Sequence, residues 1–444
     1  MKNLQRDSID FGTTRIPQLF RGMFYPTLLS MVFMSLLTVA DGIFVGQGVG
    51  SDALAAINIV APLFLLTTGL SLMFGVGVSV VASIHLSKGN IKAANINITQ
   101  ALEVASVVMG IIVLLIWLFK EGFLRLLGCS DSLMPLAMAY MLPLLPGCIM
   151  MVAETVGSFI IRLDASPVYA SLVGIIPGAL NIFLDWLFVF PMQMGIKGSS
   201  LATTICCALG TAMVMVYIKF RSKTLHLYAL KLTRTSLYLT LRNTGYMIRS
   251  GFSSLLGELA MAFTMLTGNY VIIKNLGEDG VAAFSVACYL YPIVFMVNNA
   301  VAQSAQPIIS FNYGAGNKER VSEAKRVSIR TSLLCGVIAF LVLALGAHQL
   351  VGMFLDRDSI PYAIATSGLP LFAGAAVFFS LNIALIGYYQ AIEKSSKATV
   401  FMMLRGLIIL VPAFIFLPML LGTPGFWLAV PTTELLTFLL ILLI

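Results

Sequence analysis

Asn181 and Asp185 stand four residues apart inside an apolar run. On a helix that spacing puts an amide oxygen and a carboxylate on one face, about 6 Å apart along the axis. Asp41 and Thr203 lie in two other apolar runs. Counted along each run at about 1.5 Å per helical residue, Asp41, Asp185 and Thr203 reach a similar depth, in the outer third of a bilayer, with Asn181 on the same face as Asp185. Two carboxylates, an amide oxygen and a hydroxyl form an oxygen-rich cage suited to Na⁺, so these four are the candidate metal ligands. If the carboxylates press together, like charge and burial favour holding a proton there instead. A carboxylate at helix depth costs about 2.5–3.5 kcal/mol on insertion scales, so each one marks an ion path or a partner.

Glu258 and Glu434 fall near mid-depth in two later runs, where they are expected to attract a cationic amphiphile, and Glu154 joins them as a candidate substrate contact closer to the cytoplasm. Glu103 and Arg405 read as structural. His85, His226 and His348 are scattered singly, and six cysteines lie mostly inside apolar runs without Cys-x-x-Cys spacing, which indicates neither a zinc site nor a disulfide framework. No phosphate-binding Gly-x-x-x-x-Gly-Lys-[Ser/Thr] motif is present, and Gly46–Gly50 is a glycine-rich turn with no strand before it. Motifs of intramembrane proteases are missing as well. The expectation is therefore a non-enzyme without cofactor, driven by an Na⁺ or H⁺ gradient.

The elements that position these residues follow from composition. Of the 444 residues, 59% are hydrophobic and 10% charged, far too few charges to cover a water-facing surface. Apolar runs long enough to cross hydrocarbon recur from residue 18 to the end of the chain. They predict spans at 18–45, 54–83, 96–119, 134–161, 167–190 and 196–218, then 246–273, 281–309, 327–350, 362–389, 398–417 and 424–444. Met1–Ile16 lacks the apolar core of a leader, so the first span is expected to be retained. Twenty-two of the 27 Lys and Arg fall on one side of this arrangement, which predicts a multi-pass protein of the cell membrane with both termini in the cytoplasm. The excess of positive charge thus sets orientation and does not indicate nucleic acid. The expected partners are the lipid bilayer and small cationic organic compounds, and the expected state is a monomer.

An internal repeat divides the chain. Gly50-Ser-Asp-Ala-Leu-Ala-Ala56 returns as Gly277-Glu-Asp-Gly-Val-Ala-Ala283, Gly89-Asn90 as Gly316-Asn317, and Pro191 and Gly195 as Pro418 and Gly422, all displaced by 227 positions. Six spans per copy is an even number, so the two repeats are parallel. The organisation predicted is an all-α integral membrane protein of 12 transmembrane helices, with an N-lobe over 1–218, a cytoplasmic linker over 219–245 and a C-lobe over 246–444. The positions 227 residues after Asp41, Asn181, Asp185 and Thr203 are Gly268, Ile408, Pro412 and Val430, so the cage belongs to the first copy alone.

Taken together, these residues resemble the multidrug and toxic compound extrusion (MATE) transporters, and within them the MepA-like branch. The resemblance rests on Asp41-Gly-Ile-Phe-Val-Gly46 with Ala55-Ala56, Arg162-Leu-Asp-Ala-Ser-Pro167, Asn181-x-x-x-Asp185 and Gly198-Ser-Ser-Leu-Ala-Thr203. Gly251-Phe-Ser-Ser with Glu258, Gln306-Pro307 and Phe311-Asn-Tyr-Gly-Ala-Gly-Asn317 add to it in the second half. It implies a MATE/MOP-type fold and alternating-access export of cationic amphiphiles in exchange for Na⁺ or H⁺, with the first-lobe aspartates as coupling site and Pro26 as a bending point in helix one. Family members with a second-lobe ion site often carry an aspartate in span ten. This chain has Asn382, Tyr389 and Gln390 there, and Asn382 is the candidate substrate contact among them. A lipid-linked precursor flippase of the same superfamily is the alternative, though its cavity needs basic residues that are scarce at mid-depth here.

Overall fold

A helix satisfies its own backbone hydrogen bonds, which is why a chain with this composition folds as helices and little else. The computed structural model describes residues 10–49, 51–230 and 233–443, apart from the side chains of residues 35–43, 45–47, 51 and 54. The spans are α1 (Ile16–Gly48), α2 (Ser51–Ser87), α3 (Ile91–Leu118), α4 (Met134–Leu163), α5 (Pro167–Val189) and α6 (Ile196–Val216). A single helical stretch, Arg234–Gly314, holds two more, because Gly277 breaks it with φ 66° and ψ −157°; they are α7 (234–276) and α8 (278–314). Then come α9 (Lys318–Leu345), α10 (Ile360–Ala373 and Ala375–Ala391, bent by 40°), α11 (Ser395–Leu421) and α12 (Thr423–Leu443). The expected twelve spans are all accounted for. α7 starts twelve residues earlier than hydropathy predicts, because residues 234–245 form a polar helical extension. Thr233 caps it, and hydrogen bonds from Gln100 to Thr240 and from Asn243 to Gln100 tie it to α3.

Backbone conformation carries the duplication further than sequence does. Gly89 and Gly316, 227 apart, have φ 73° and 77°, and Gly195 and Gly422, also 227 apart, have φ 60° and 66°. Ala165 and Glu393 share the left-handed region at φ 58° and 59°, although they are different residues and 228 apart. A side chain there is strained, so its recurrence marks the same turn, between the fourth and fifth helices of each copy. In the first copy the turn is anchored by Asp164, whose carboxylate accepts from Tyr217 Oη at 2.8 Å and Ser222 Oγ at 2.9 Å. Burial pushes the Asp164 carboxyl up, while these hydroxyls and the amides of Lys223 and Thr224 pull it down.

The chain forms two compact units, one of residues up to Leu255 together with Ser310–Lys318, the other of Leu256–Ile309 and Glu319–Ile444. In the first unit α4 and α6 run side by side in fixed register. Thr204 Oγ1 donates to Pro143 O at 2.7 Å and, seven residues on, Thr211 Oγ1 donates to Met150 O at 2.8 Å. A Cβ at Gly147 would strike Thr204, and one at Gly157 would strike Val214. These pairs keep a nearly constant displacement, which makes the two helices parallel and brings their backbones close through small residues, as apolar solvent favours.

The second unit is centred on an aromatic core. Phe284, Phe372, Phe414 and Trp427 meet edge to face at 6.0–6.5 Å between ring centroids. Phe284 lies against Gly268 and Trp427 against Gly368, each ring filling the space of a Cβ. Beside this core a π-helical turn at Leu404–Ile408 carries Arg405 inward. Its guanidinium holds Glu434 through Nη2 at 2.5 Å and Nε at 3.1 Å, lies 4.6 Å from the Phe379 ring centroid, and both partners of the pair are almost wholly buried. Removing one partner of a buried pair strands the other, at a cost on the order of 3–5 kcal/mol, whereas removing both can be neutral. Arg405→Met should therefore lower the thermal midpoint sharply, and Arg405→Met/Glu434→Leu should recover most of the loss in a detergent melting assay. A double variant no more stable than the single would show that the pair is not the source of the effect.

Candidate functional site

The first-unit residues are brought to one level by helix register. Ser30 meets Gly174 and Gly48 meets Val189 across α1 and α5. Between those two contacts the backbone of Asp41 on α1 comes level with residues 181–185 of α5; its side chain lies outside the described residues. α5 and α6 run antiparallel, since Gly198 packs on Phe188 and Tyr169 Oη donates to Met213 O at 3.1 Å. That register sets Thr203 opposite Asn181 and Ile182. Asn181 and Asp185 are 4% and 1% exposed, so the amide and the carboxylate face the interior and not lipid. Among the described residues Asn181 Nδ2 has no hydrogen-bond partner. Thr203 Oγ1 donates to Ser199 O at 3.2 Å, which leaves its lone pairs available to a cation. Pro26 lies inside α1 without ending it, and Thr27 Oγ1 donates to Met23 O in the same turn at 2.8 Å.

The side-chain oxygens of Asn181, Asp185 and Thr203, on two adjacent helices, have the chemistry to bind a monovalent cation or, at the carboxylate, a proton. No cluster of three or more His, Cys, Asp or Glu suited to a metal such as zinc occurs among the described residues. The corresponding level of the second unit is apolar. Gly268 is covered by Phe284, and Val430 is 1% exposed within the aromatic core.

Three of the candidate substrate contacts, Glu258, Asn382 and Glu434, belong to the second unit. Asn382 and Glu434 do meet, with Asn382 Nδ2 donating to Glu434 Oε2 at 2.8 Å and to its backbone carbonyl at 2.9 Å. Tyr291 Oη completes the cluster 3.4 Å from Glu434 Oε1 and 3.3 Å from Arg405 Nη2. With a guanidinium already on it, Glu434 has no net charge to offer an incoming cation. Glu258 differs: it is 7% exposed on α7 and makes no hydrogen bond or ion pair to any described residue. Gly257, the residue before it, packs on Met402 and Phe295. Glu154 belongs to the first unit, on α4, with its carboxyl resting on the backbone of Gly210.

Sequence reading alone misses the partnership of Arg405, Tyr291 and Glu434, because it treats Arg405 and Glu434 as independent residues. Depth was the available signal. Counted from the two ends of α11 and α12, Arg405 and Glu434 fall within about one turn of each other on consecutive helices, where opposite buried charges seek one another.

The MatE family model matches residues 26–187 and 254–415, one match to each repeat. Among curated proteins, the FAD transporter of Shewanella oneidensis is 23% identical over 429 residues, 95% of this chain and 92% of that protein. The multidrug export protein MepA of Staphylococcus saprophyticus is 23% identical over 405 residues, 89% of this chain and 87% of that one. Among solved structures, an outward-facing multidrug resistance MATE transporter of the MOP superfamily superposes with a TM-score of 0.90 at 22% identity, over 99% of this chain and 97% of that one. A MOP superfamily transporter from Pyrococcus furiosus, described as having a binding pocket of reverse polarity, also gives 0.90, at 21% identity over 100% of this chain and 97% of that one. The match over both repeats, on a twelve-helix membrane fold, shows that the chain belongs to the MatE family of transporters.

Proposed function

We propose that this transporter is a multidrug efflux antiporter that exports cationic amphiphiles in exchange for Na⁺ or H⁺. The observation that carries the reading is the level shared by Asp41, Asn181, Asp185 and Thr203 on α1, α5 and α6, with the acid and amide of α5 buried. A cation held there neutralises the carboxylates, and its release restores a charge that hydrocarbon disfavours. That difference gives the gradient a means to bias two conformations. Glu258, buried on α7, supplies the negative charge for an organic cation.

Duplicated six-helix halves suit alternating access, in which one half moves against the other, and Pro26 is the bending point proposed in α1. The Lys and Arg excess on one side of the spans supports a cell-membrane protein with both termini in the cytoplasm. The MepA relative supports multidrug cargo. The FAD transporter relative offers a second reading, an anionic dinucleotide, which the buried acid at Glu258 disfavours.

Ethidium efflux from proteoliposomes, under an imposed Na⁺ or pH gradient, tests the reading. Native protein should expel ethidium under one of the two gradients. Asp41→Asn and Asp185→Asn should each lower the driven rate by about tenfold or more, equal to about 1.4 kcal/mol of lost coupling, while still inserting in the membrane. Glu258→Gln should raise the ethidium concentration needed for half-maximal efflux without abolishing the gradient dependence. Driven efflux that survives both aspartate substitutions would overturn the coupling site, and FAD efflux in place of ethidium would move the cargo to the anionic class.

A further inference from the structure

Two facts about Glu154, taken together, set it apart from every other acid described in the membrane region. Its carboxyl sits against the backbone of α6 at Gly210, where a Cβ would strike the carboxyl carbon and both oxygens. Yet it makes no hydrogen bond or ion pair with any described residue. The place is built: Thr204 to Pro143 and Thr211 to Met150 pin α4 to α6, and Gly147 and Gly157, on either side of Glu154, bring the two backbones together.

The duplication says what this place corresponds to. The left-handed turn that follows α4 recurs after α10 at a displacement of 228, between Ala165 and Glu393. At that displacement Glu154 corresponds to Asn382. The turn that precedes α6 recurs before α12 at a displacement of 227, between Gly195 and Gly422. There Glu434 corresponds to Cys207, which lies within electrostatic reach of Glu154. Each half thus places one acid at the same level between its fourth and sixth helices, carried by the sixth in the second half and by the fourth in the first. The second-half acid has a permanent cation, Arg405, on its fifth helix. The corresponding stretch of α5 is Pro177-Gly178, with no charge to give.

We propose that Glu154 is a second exchangeable-cation site of the first unit, and that the cation it takes is a proton. Coordination chemistry selects the proton over Na⁺. A metal cation wants several oxygen ligands, whereas the side chains of α6 that feel the Glu154 charge are the thiols of Cys206 and Cys207, beside the backbone of Gly210. From α5 the nearest charge is Asp185, which acts on the same Cys206. α2 carries no charged residue between Asp52 and His85, and Glu103 of α3 is exposed on the far side. Along α6 from Thr203 to Gly210 is about 10 Å, so Glu154 lies inward of the cage on the orientation given above, with Cys206 between. The proposal rests on that reading for its place in transport, but its chemistry stands apart from it.

The test therefore reads protonation directly. Infrared titration of purified protein in liposomes should show a protonated-carboxyl C=O band that comes and goes with pH. In Glu154→Gln that band should lose one carboxyl's intensity, with unchanged thermal stability to certify the fold. The double variant Arg405→Met/Glu434→Leu, which strands no charge, should leave the band alone, since a resident guanidinium already answers that acid. Gly210→Ala should keep the band and move its midpoint, because the added methyl displaces the carboxyl from α6; the shift should vanish against a Glu154→Gln background. An identical band in native protein and Glu154→Gln overturns the proposal, as does a band lost in Arg405→Met/Glu434→Leu instead. Ethidium efflux measured on the same liposomes keeps the two claims separate: failure of native efflux sinks the antiporter reading, while the infrared result still decides Glu154.

Discussion

Hydrocarbon offers neither hydrogen bonds nor counterions, and the rest of this structure follows from that one constraint. Backbone groups answer each other within helices, so the twelve spans need no other support. Side-chain polarity is harder to answer, and where it occurs the fold bends to accommodate it. Arg405 reaches Glu434 from a π-helical turn, a local loss of regular geometry that swings one residue inward. Asn382 uses its amide on both the carboxylate and the carbonyl of the same glutamate. Such a cluster ties α8, α10, α11 and α12 together more specifically than apolar packing could, because any other arrangement strands a charge.

The two halves share their backbone turns and differ in how their interiors treat charge. At Gly89 and Gly316, or Gly195 and Gly422, the conformation is held to within a few degrees. At Asp41 and Gly268 the chemistry has parted: one half has a carboxylate, the other an aromatic ring seated on a glycine. A duplicated fold allows this divergence because helix packing constrains size and register at each position, and leaves charge to be settled by whatever neighbour stands nearby.

Much of the architecture was legible in the sequence because it depends on local quantities. Apolar run length predicted the spans, and glycine positions predicted the repeat. The start of α7 was not legible, since residues 234–245 are polar and take their helical form from a Thr233 cap and from Gln100 on α3. Neither was the fate of Glu434. Its neutralisation depends on a residue in the preceding helix, and hydropathy scores the two charges separately. The shared level of Asn181, Asp185 and Thr203 was the easier inference, because i, i+4 spacing and depth along a helix are themselves local. Glu154 shows the limit from the other side: its carboxyl occupies the space that a side chain at Gly210 would take, and a glycine carries no sign of what rests on it.

A permanent guanidinium and an exchangeable cation are alternative answers to the same buried acid, and they differ in what they allow. Arg405 cannot leave Glu434 without stranding two charges, so that pair stabilises one packing of the second unit and gives a gradient nothing to act on. An acid with no resident cation stays neutral only while one from solution is bound, and its free energy then follows the concentration of that cation. A half that has given its acid an arginine can therefore serve as the stable frame. An ion gradient can do work where no guanidinium has been committed, and at the corresponding place in the first half, between α4 and α6, Glu154 meets that condition.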